Sequence, residues 1–237
     1  MKLTGSFAAA LRIGLASARA NLVPIVILWG LGVAAVAAYY WIADFRAALD
    51  PVFRWRTEYG WKVVFPMRAF FCGVLPGIFL LSMGSLRPRR PILTLIVQVI
   101  WCGAWGVLCD WFYAVQDILF GDGYGAGTIA LKTLVDQFPW TVLVVAPPNA
   151  VFYFWLGRDM SLARCRREWP KGGFLADILF QNLVCNWIVW IPLTLAVFCF
   201  PQPLRVWVSG IASAFWFLMS LQIGARVCKG KGGEIAP

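Results

Sequence analysis

The sequence predicts an all-α, polytopic membrane protein, a bundle of five to six transmembrane helices. Three observations carry this. Hydrophobic residues make up 61% of the 237-residue chain and the mean hydropathy is +0.73, well above the roughly 45–50% apolar content of soluble domains, which counts glycine as well. The apolar residues gather into runs of about 20, the length a helix needs to cross about 30 Å of hydrocarbon. The 21 Lys and Arg, against 11 Asp and Glu, punctuate those runs, as in loops facing an anionic leaflet.

The elements follow in chain order. Residues 1–21 carry Lys2, Arg12 and Arg19, with Phe7, Leu11 and Leu15 at helical spacing, the pattern of a basic amphipathic helix on a membrane surface. Leu22 to Ala43 is uncharged and long enough to span. Ala35-Val36-Ala37 has the small-residue form of a signal-peptidase site, yet the apolar run continues through Tyr39, Tyr40 and Trp41, so a retained anchor with interfacial aromatics is expected. Asp44 to Lys62 is a polar connector with Asp50-Pro51 and two Arg-aromatic pairs. The second span, Ala69 to Leu86, has Arg68 at its mouth and the small-xxx-small pair Gly73 and Gly77 around a kinking Pro76, a helix-packing device.

Arg87-Pro88-Arg89-Arg90-Pro91 forms a stiff basic turn into the third span, Ile92 to Tyr113. An acidic, glycine-rich connector around Asp117 to Asp122 leads to a fourth span from Phe138 to Gly157, which Pro147-Pro148-Asn149 should bend or break because two amide donors are missing. A basic loop from Arg158 to Lys171 precedes the fifth span, Ile178 to Phe200, and the sixth, Leu204 to Gly224. With all six crossing, 14 Lys and Arg lie on one side and 7 on the other. The positive-inside rule then places both termini on the cytoplasmic or matrix-like side.

Several functional classes are excluded. Without histidine, no Ser-His-Asp, Cys-His or His-metal site can form. The seven cysteines contain no Cys-x-x-Cys, and no phosphate-cradling glycine loop or catalytically spaced carboxylate pair occurs. No enzyme activity, catalytic residue, metal or cofactor is therefore expected. The net charge of +10 belongs to loops beside lipid, so the expected partner is the bilayer, anionic lipids at the basic loops above all, and not nucleic acid.

Polar groups at membrane depth cost about 2.5–3.5 kcal/mol on insertion scales when ionisable, which makes each a candidate for function. Asp136 and Asp177 stand at expected span starts, where capping a helix N-terminus competes with a functional role. Asp110 lies deeper and needs a partner, for which Lys132 and Arg205 are the expected choices. Asn149 sits beside the double proline. Gln181, Asn182 and Asn186 place a polar stripe along the first half of the fifth span. That stripe either lines a water-filled path or bonds helix to helix, the latter worth about 0.6–2 kcal/mol per bond.

Near the C-terminal end the chain reads Asn186-Trp187-Ile188-Val189-Trp190-Ile191-Pro192, then Phe198, Pro201, Arg205 and Trp216, and upstream Lys132 is followed by Asp136-Gln137. With Gly103, Gly106 and Trp111-Phe112-Tyr113 between them, these landmarks over residues 90–224 resemble the Mpv17/PMP22 family of small integral membrane proteins. The chain departs from the family pattern at Ile191, Thr194, Val197 and Phe217, each replacing or displacing a family landmark, so architecture is the firmer implication. The resemblance divides the chain into an N-terminal tail, extra helix and connector (1–67), a family-like membrane bundle (68–224) and a basic tail (225–237). It implies a weakly selective channel or permeation path for small solutes, with Lys132, Asp136 and Gln137 at one mouth and Arg205 at the other or tying a loop. A non-catalytic assembly role, in which the polar residues serve helix packing, stays open. So does the membrane: a bacterial inner membrane, or a mitochondrial or peroxisomal one.

Overall fold

The computed structural model describes residues 11–12, 15–16, 19, 22–82, 88–169, 179–215 and 217. Among them every regular element is helical and no strand occurs. Four helices are long and apolar enough to cross a membrane, and the protein is an all-α membrane protein. The first is α1 (Leu22–Trp41), followed by α2 (Ala43–Tyr59), α3 (Trp61–Ser82), α4 (Pro91–Phe120), α5 (Ala126–Leu156) and the short α6 (Leu162–Arg167). The expected fifth span is α7 (Gln181–Phe198), and the sixth opens with α8, residues 202–215. The cleavage-site residues 35–37 lie inside α1. Asp177, Trp216 and the C-terminal basic tail fall outside the described residues.

Two compact units interleave along the chain, one formed by Met1–Val36 with Gly123–Cys199 and the other by Ala37–Asp122 with Phe200–Pro237. In the first unit α1 lies along α7: the Trp29 Nε1 donates to the Val189 carbonyl at 3.1 Å, and Gly32 faces Leu193 and Ala196. The opposite flank of α1 exposes Val23, Val26, Ile27 and Val33, apolar side chains whose natural solvent is lipid. In the second unit α3 and α4 run antiparallel at close approach. A Cβ on Gly73 would stand 2.7 Å from the Val99 Cα, and one on Gly103 would stand 2.8 Å from the Phe65 ring. The small-xxx-small pair of α3 is thus matched by Gly103 and Gly106 on α4. Where the hydrophobic effect is absent, such backbone approach supplies the van der Waals contact that holds helices together.

Prolines shape both long kinked spans in the same way. In α3 the π-helical segment Ala69–Val74 precedes Pro76, and in α5 the π-helical segment Asp136–Val145 precedes Pro147 and Pro148. The wider turn lets the α-helix restart at Leu75 and Ala146, so each proline falls in a first turn, where its missing N–H is least costly. The expected break at Pro147-Pro148 is therefore a junction within a continuous helix. Asn149 adds a donor there, its Nδ2 reaching the Val145 carbonyl at 2.8 Å.

Three span boundaries differ from expectation for one reason: charged residues that read as lying outside a span are internal, as with Asp117, inside α4, which runs to Phe120, seven residues past Tyr113. The span α3 begins at Trp61, eight residues before Ala69, and includes Lys62 and Arg68. The span α5 begins at Ala126, twelve residues before Phe138, so Asp136 sits in mid-helix and caps nothing. The polar connector Asp44 to Lys62 is mostly the helix α2, which exposes Phe53, Trp55 and Tyr59 beside Arg54. Arg46 of α2 donates to the Tyr39 and Tyr40 carbonyls, both at 3.2 Å, satisfying the end of α1. Gly60, at φ 55°, makes the turn into α3, a backbone state that favours glycine.

Gly73→Ala forces the α3 and α4 backbones apart and is expected to destabilise the protein by about 1–3 kcal/mol, read as a lower thermal midpoint in detergent. Gly127→Ala, on an open face of α5, should leave that midpoint unchanged or raise it slightly, since alanine favours helix over glycine by about 1 kcal/mol.

Candidate functional site

The buried side of α4 is built on a spacing of four. Thr94, Gln98, Cys102, Gly106 and Asp110 recur at that interval, followed by Tyr113 and Gln116, and all are buried. Residues four apart share a helix face, so this row of polar and small residues forms a seam inside the second unit. From Thr94 to Asp117 it extends about 34 Å at 1.5 Å per residue, close to the thickness of a hydrocarbon core.

Charged groups from three other helices close on the seam. Asp110 receives a forked arginine: Arg56 Nε stands 3.0 Å from Oδ1 and Nη2 stands 2.8 Å from Oδ2. Gln202 of α8 also donates to Asp110 Oδ1, at 3.3 Å. One turn farther along, Arg205, 1% exposed, donates from Nε to the Phe200 carbonyl at 2.8 Å and from Nη1 to Asp117 Oδ1 at 2.6 Å. Planar, delocalised guanidinium suits such sites because it meets a carboxylate or carbonyl with several fixed donors at once. Arg68 is the exception. It is 7% exposed, lies against Gly106 and Gly210, and has no hydrogen-bond partner at Nε or Nη1. The Thr94 hydroxyl and both amide atoms of Gln116 are also buried without partners, as is the Trp207 indole nitrogen of α8.

The first unit holds a second polar cluster on one face of α5. Lys132, Thr133, Asp136, Gln137 and Thr141 are all buried. Gln137 Nε2 donates to Asp136 Oδ1 at 2.7 Å and to Thr194 Oγ1 of α7 at 2.9 Å, while Trp187 Nε1 donates to the Gln137 carbonyl at 2.8 Å. Residues from two of the sequence landmarks, 50 positions apart, are thereby in direct contact. The Gln137 Oε1 and the Thr133 hydroxyl are left without a partner.

The site residues picked from sequence thus fall into both units. Asp110 is paired with Arg56 and Gln202, not with Lys132 or Arg205; Arg205 holds Asp117 and the Phe200 carbonyl and so ties the turn at Pro201 to α4. Trp187, Trp190 and Pro192 lie half-buried on α7 and Phe198 is fully buried at its end. Asn186 is half-buried, whereas the side chains of Gln181 and Asn182 fall outside the described residues. Arg56, Thr94, Gln116 and Gln202 were not singled out from sequence, and Arg68 was placed only at the mouth of the second span. The four-residue period of α4 could have flagged Thr94, and its continuation by steps of three through Tyr113 could have flagged Gln116; nothing local marks Arg56, whose partner is 54 positions away. Among the described residues no group of three Cys, Asp or Glu gathers as a metal site.

Removing one partner of a buried ion pair strands the other, at about 3–5 kcal/mol. Arg56→Met and Asp110→Leu are each expected to lower the thermal midpoint in detergent steeply, Asp110→Leu less so because Arg56 can turn toward water. The double variant should be more stable than Arg56→Met alone, a coupling that a double-mutant cycle reads directly. No known family model, curated protein or solved structure matches the chain.

Proposed function

We propose that the protein provides a weakly selective path for small solutes across its membrane, with the buried seam of α4 as its wall. One observation carries this reading above the others: a row of polar and small residues continues over about 34 Å of a membrane helix, and two of its polar members, Thr94 and Gln116, have no protein partner. A helix packed for stability alone has little reason to bury the Gln116 amide or the Arg68 guanidinium unbonded, because each unmet group costs about 1–3 kcal/mol, and a charged one more. Water or a passing solute supplies the missing bonds. The landmarks that resemble the Mpv17/PMP22 family support the same reading, since that family is associated with channel-like passage of small solutes. The compartment that fits is a bacterial inner membrane or an organellar membrane.

A second reading has its own observation. Asp110, Asp117, Arg205 and Gln137 are bonded to protein, as expected of a membrane scaffold whose polar groups set helix register. Stability and flux separate the two. Gln98→Leu with Gln116→Leu, reconstituted in liposomes, should change solute flux at an unchanged thermal midpoint if the seam is a wall. A lower midpoint with no flux in the wild-type protein either would sink the path and favour the scaffold. The pair Asn182→Leu and Asn186→Leu applies the same separation to α7.

A further inference from the structure

We propose that Arg68, with the Trp207 indole, forms a binding site for a small monovalent anion inside the second unit. The charge inventory of that interior leads to it. Arg56, half-buried, is matched by Asp110, and the buried Arg205 by Asp117, which leaves the buried Arg68, and among the described residues no carboxylate stands within ion-pair distance of it. An isolated charge in a low-dielectric interior is unfavourable by several kcal/mol after relaxation. Lysine can shed its proton in such a place, but arginine stays charged, so neutralisation must come from a ligand.

The unpartnered groups near Arg68 have the chemistry of anion recognition. Its Nε and Nη1 are donors, and Nε lies 3.0 Å from where a Gly106 Cβ would be while Nη1 lies 3.3 Å from where a Gly210 Cβ would be. Glycine at both positions admits the Arg68 side chain between α4 and α8. Trp207 packs against the cluster of Val64, Met67 and Val206, one residue from Arg68 along α3, and it stands one helical turn from Gly210 on α8. Its Nε1 is a further unpartnered donor, and indole accepts nothing. The surrounding thiols are spoken for by carbonyls: Cys72 Sγ lies 3.7 Å from the Gly210 oxygen and Cys102 Sγ lies 3.2 Å from the Cys72 oxygen. Three donor atoms without an acceptor and one unmatched positive charge define a halide or a small carboxylate, not a cation. Asp110, one turn along α4 from Gly106, acts on Arg68 only through space, its oxygens being bonded to Arg56 and Gln202.

As a property of the path, this assignment rests on the permeation reading; as a binding site it stands on Arg68 alone. The two are tested together on the full chain. Purified protein is melted in detergent with sodium chloride, bromide, acetate or gluconate at equal ionic strength, gluconate being too bulky for a site enclosed by three helices. The wild-type and Arg68→Lys midpoints should rise in chloride and bromide over gluconate, and Arg68→Gln should show no such rise. A rise in acetate alone would assign the site to carboxylates, whereas a wild-type midpoint indifferent to all four salts overturns it, whether or not Arg68→Gln folds. In liposomes under a potassium chloride gradient, the reversal potential should favour chloride, and Arg68→Gln should lose about tenfold of that preference, the contribution of one charge-assisted hydrogen bond. Vesicles that conduct without anion preference remove the site from the path and leave permeation standing. Silent vesicles with a halide-dependent midpoint do the reverse.

Discussion

In hydrocarbon there is no water to rescue a polar group, so each one in the second unit is either bonded within the protein or points to something that comes from outside. The arginine–aspartate pairs at Asp110 and Asp117 enforce this rule. Arg56 draws the surface helix α2 onto α4, and Arg205 draws the turn after Phe200 onto the far end of the same helix. α4 thereby becomes the post to which other elements of its unit are fastened, and its buried face keeps one rotational setting. A rotation of α4 that improved apolar packing would expose two carboxylates to lipid. The polar seam therefore persists through these pairs, although neither pair lies in its middle.

Glycine and proline complete the geometry by acting on the backbone. Gly73 brings the α3 backbone onto that of α4 at Val99, Gly77 and Gly103 take in the Leu95 and Phe65 side chains, and Arg68 occupies the space that side chains at Gly106 and Gly210 would otherwise take. The π-helical segments before Pro76 and before Pro147 add a residue to the turn, shifting the face that the rest of each helix presents. In α5 that segment begins at Asp136 and Gln137, so the polar cluster and the change of register coincide. Sites of unusual helical hydrogen bonding often accompany function, and here one carries the buried acid and amide of its unit.

The sequence made the helical membrane class legible because hydropathy and length depend only on local composition. The apolar runs of α1 and α4 are visible for that reason, and so is the packing role of Gly73 and Gly77. Charged residues misled wherever they were internal: Lys62, Arg68 and Lys132 interrupt the apolar run, so α3 and α5 appeared shorter than they are. Whether a charge ends a span or is buried within one depends on partners far along the chain, as Arg56 and Asp110 illustrate. The pairing of Arg205 with Asp117 is of the same kind. The resemblance left Arg205 either at a mouth or tying a loop, and the carboxylate was not named. Gln116 and Thr94 were within reach of a periodicity argument, since helical intervals of three and four residues are local information.

The helix α2, outside the spanning helices, carries one half of an ion pair whose other half is interior. Length and polarity would ordinarily nominate such a segment for a tag, a fusion or a protease site, because connectors tolerate insertion when their backbone is free of tertiary duties. Here an insertion near Arg56 would uncouple Asp110. The better location for a graft is the glycine-rich turn from Gly121 to Gly125, whose glycines have open space where a side chain would begin and which Gly121, at φ 82°, already bends sharply. Permissiveness in this protein follows the ion pairs and not the hydropathy profile.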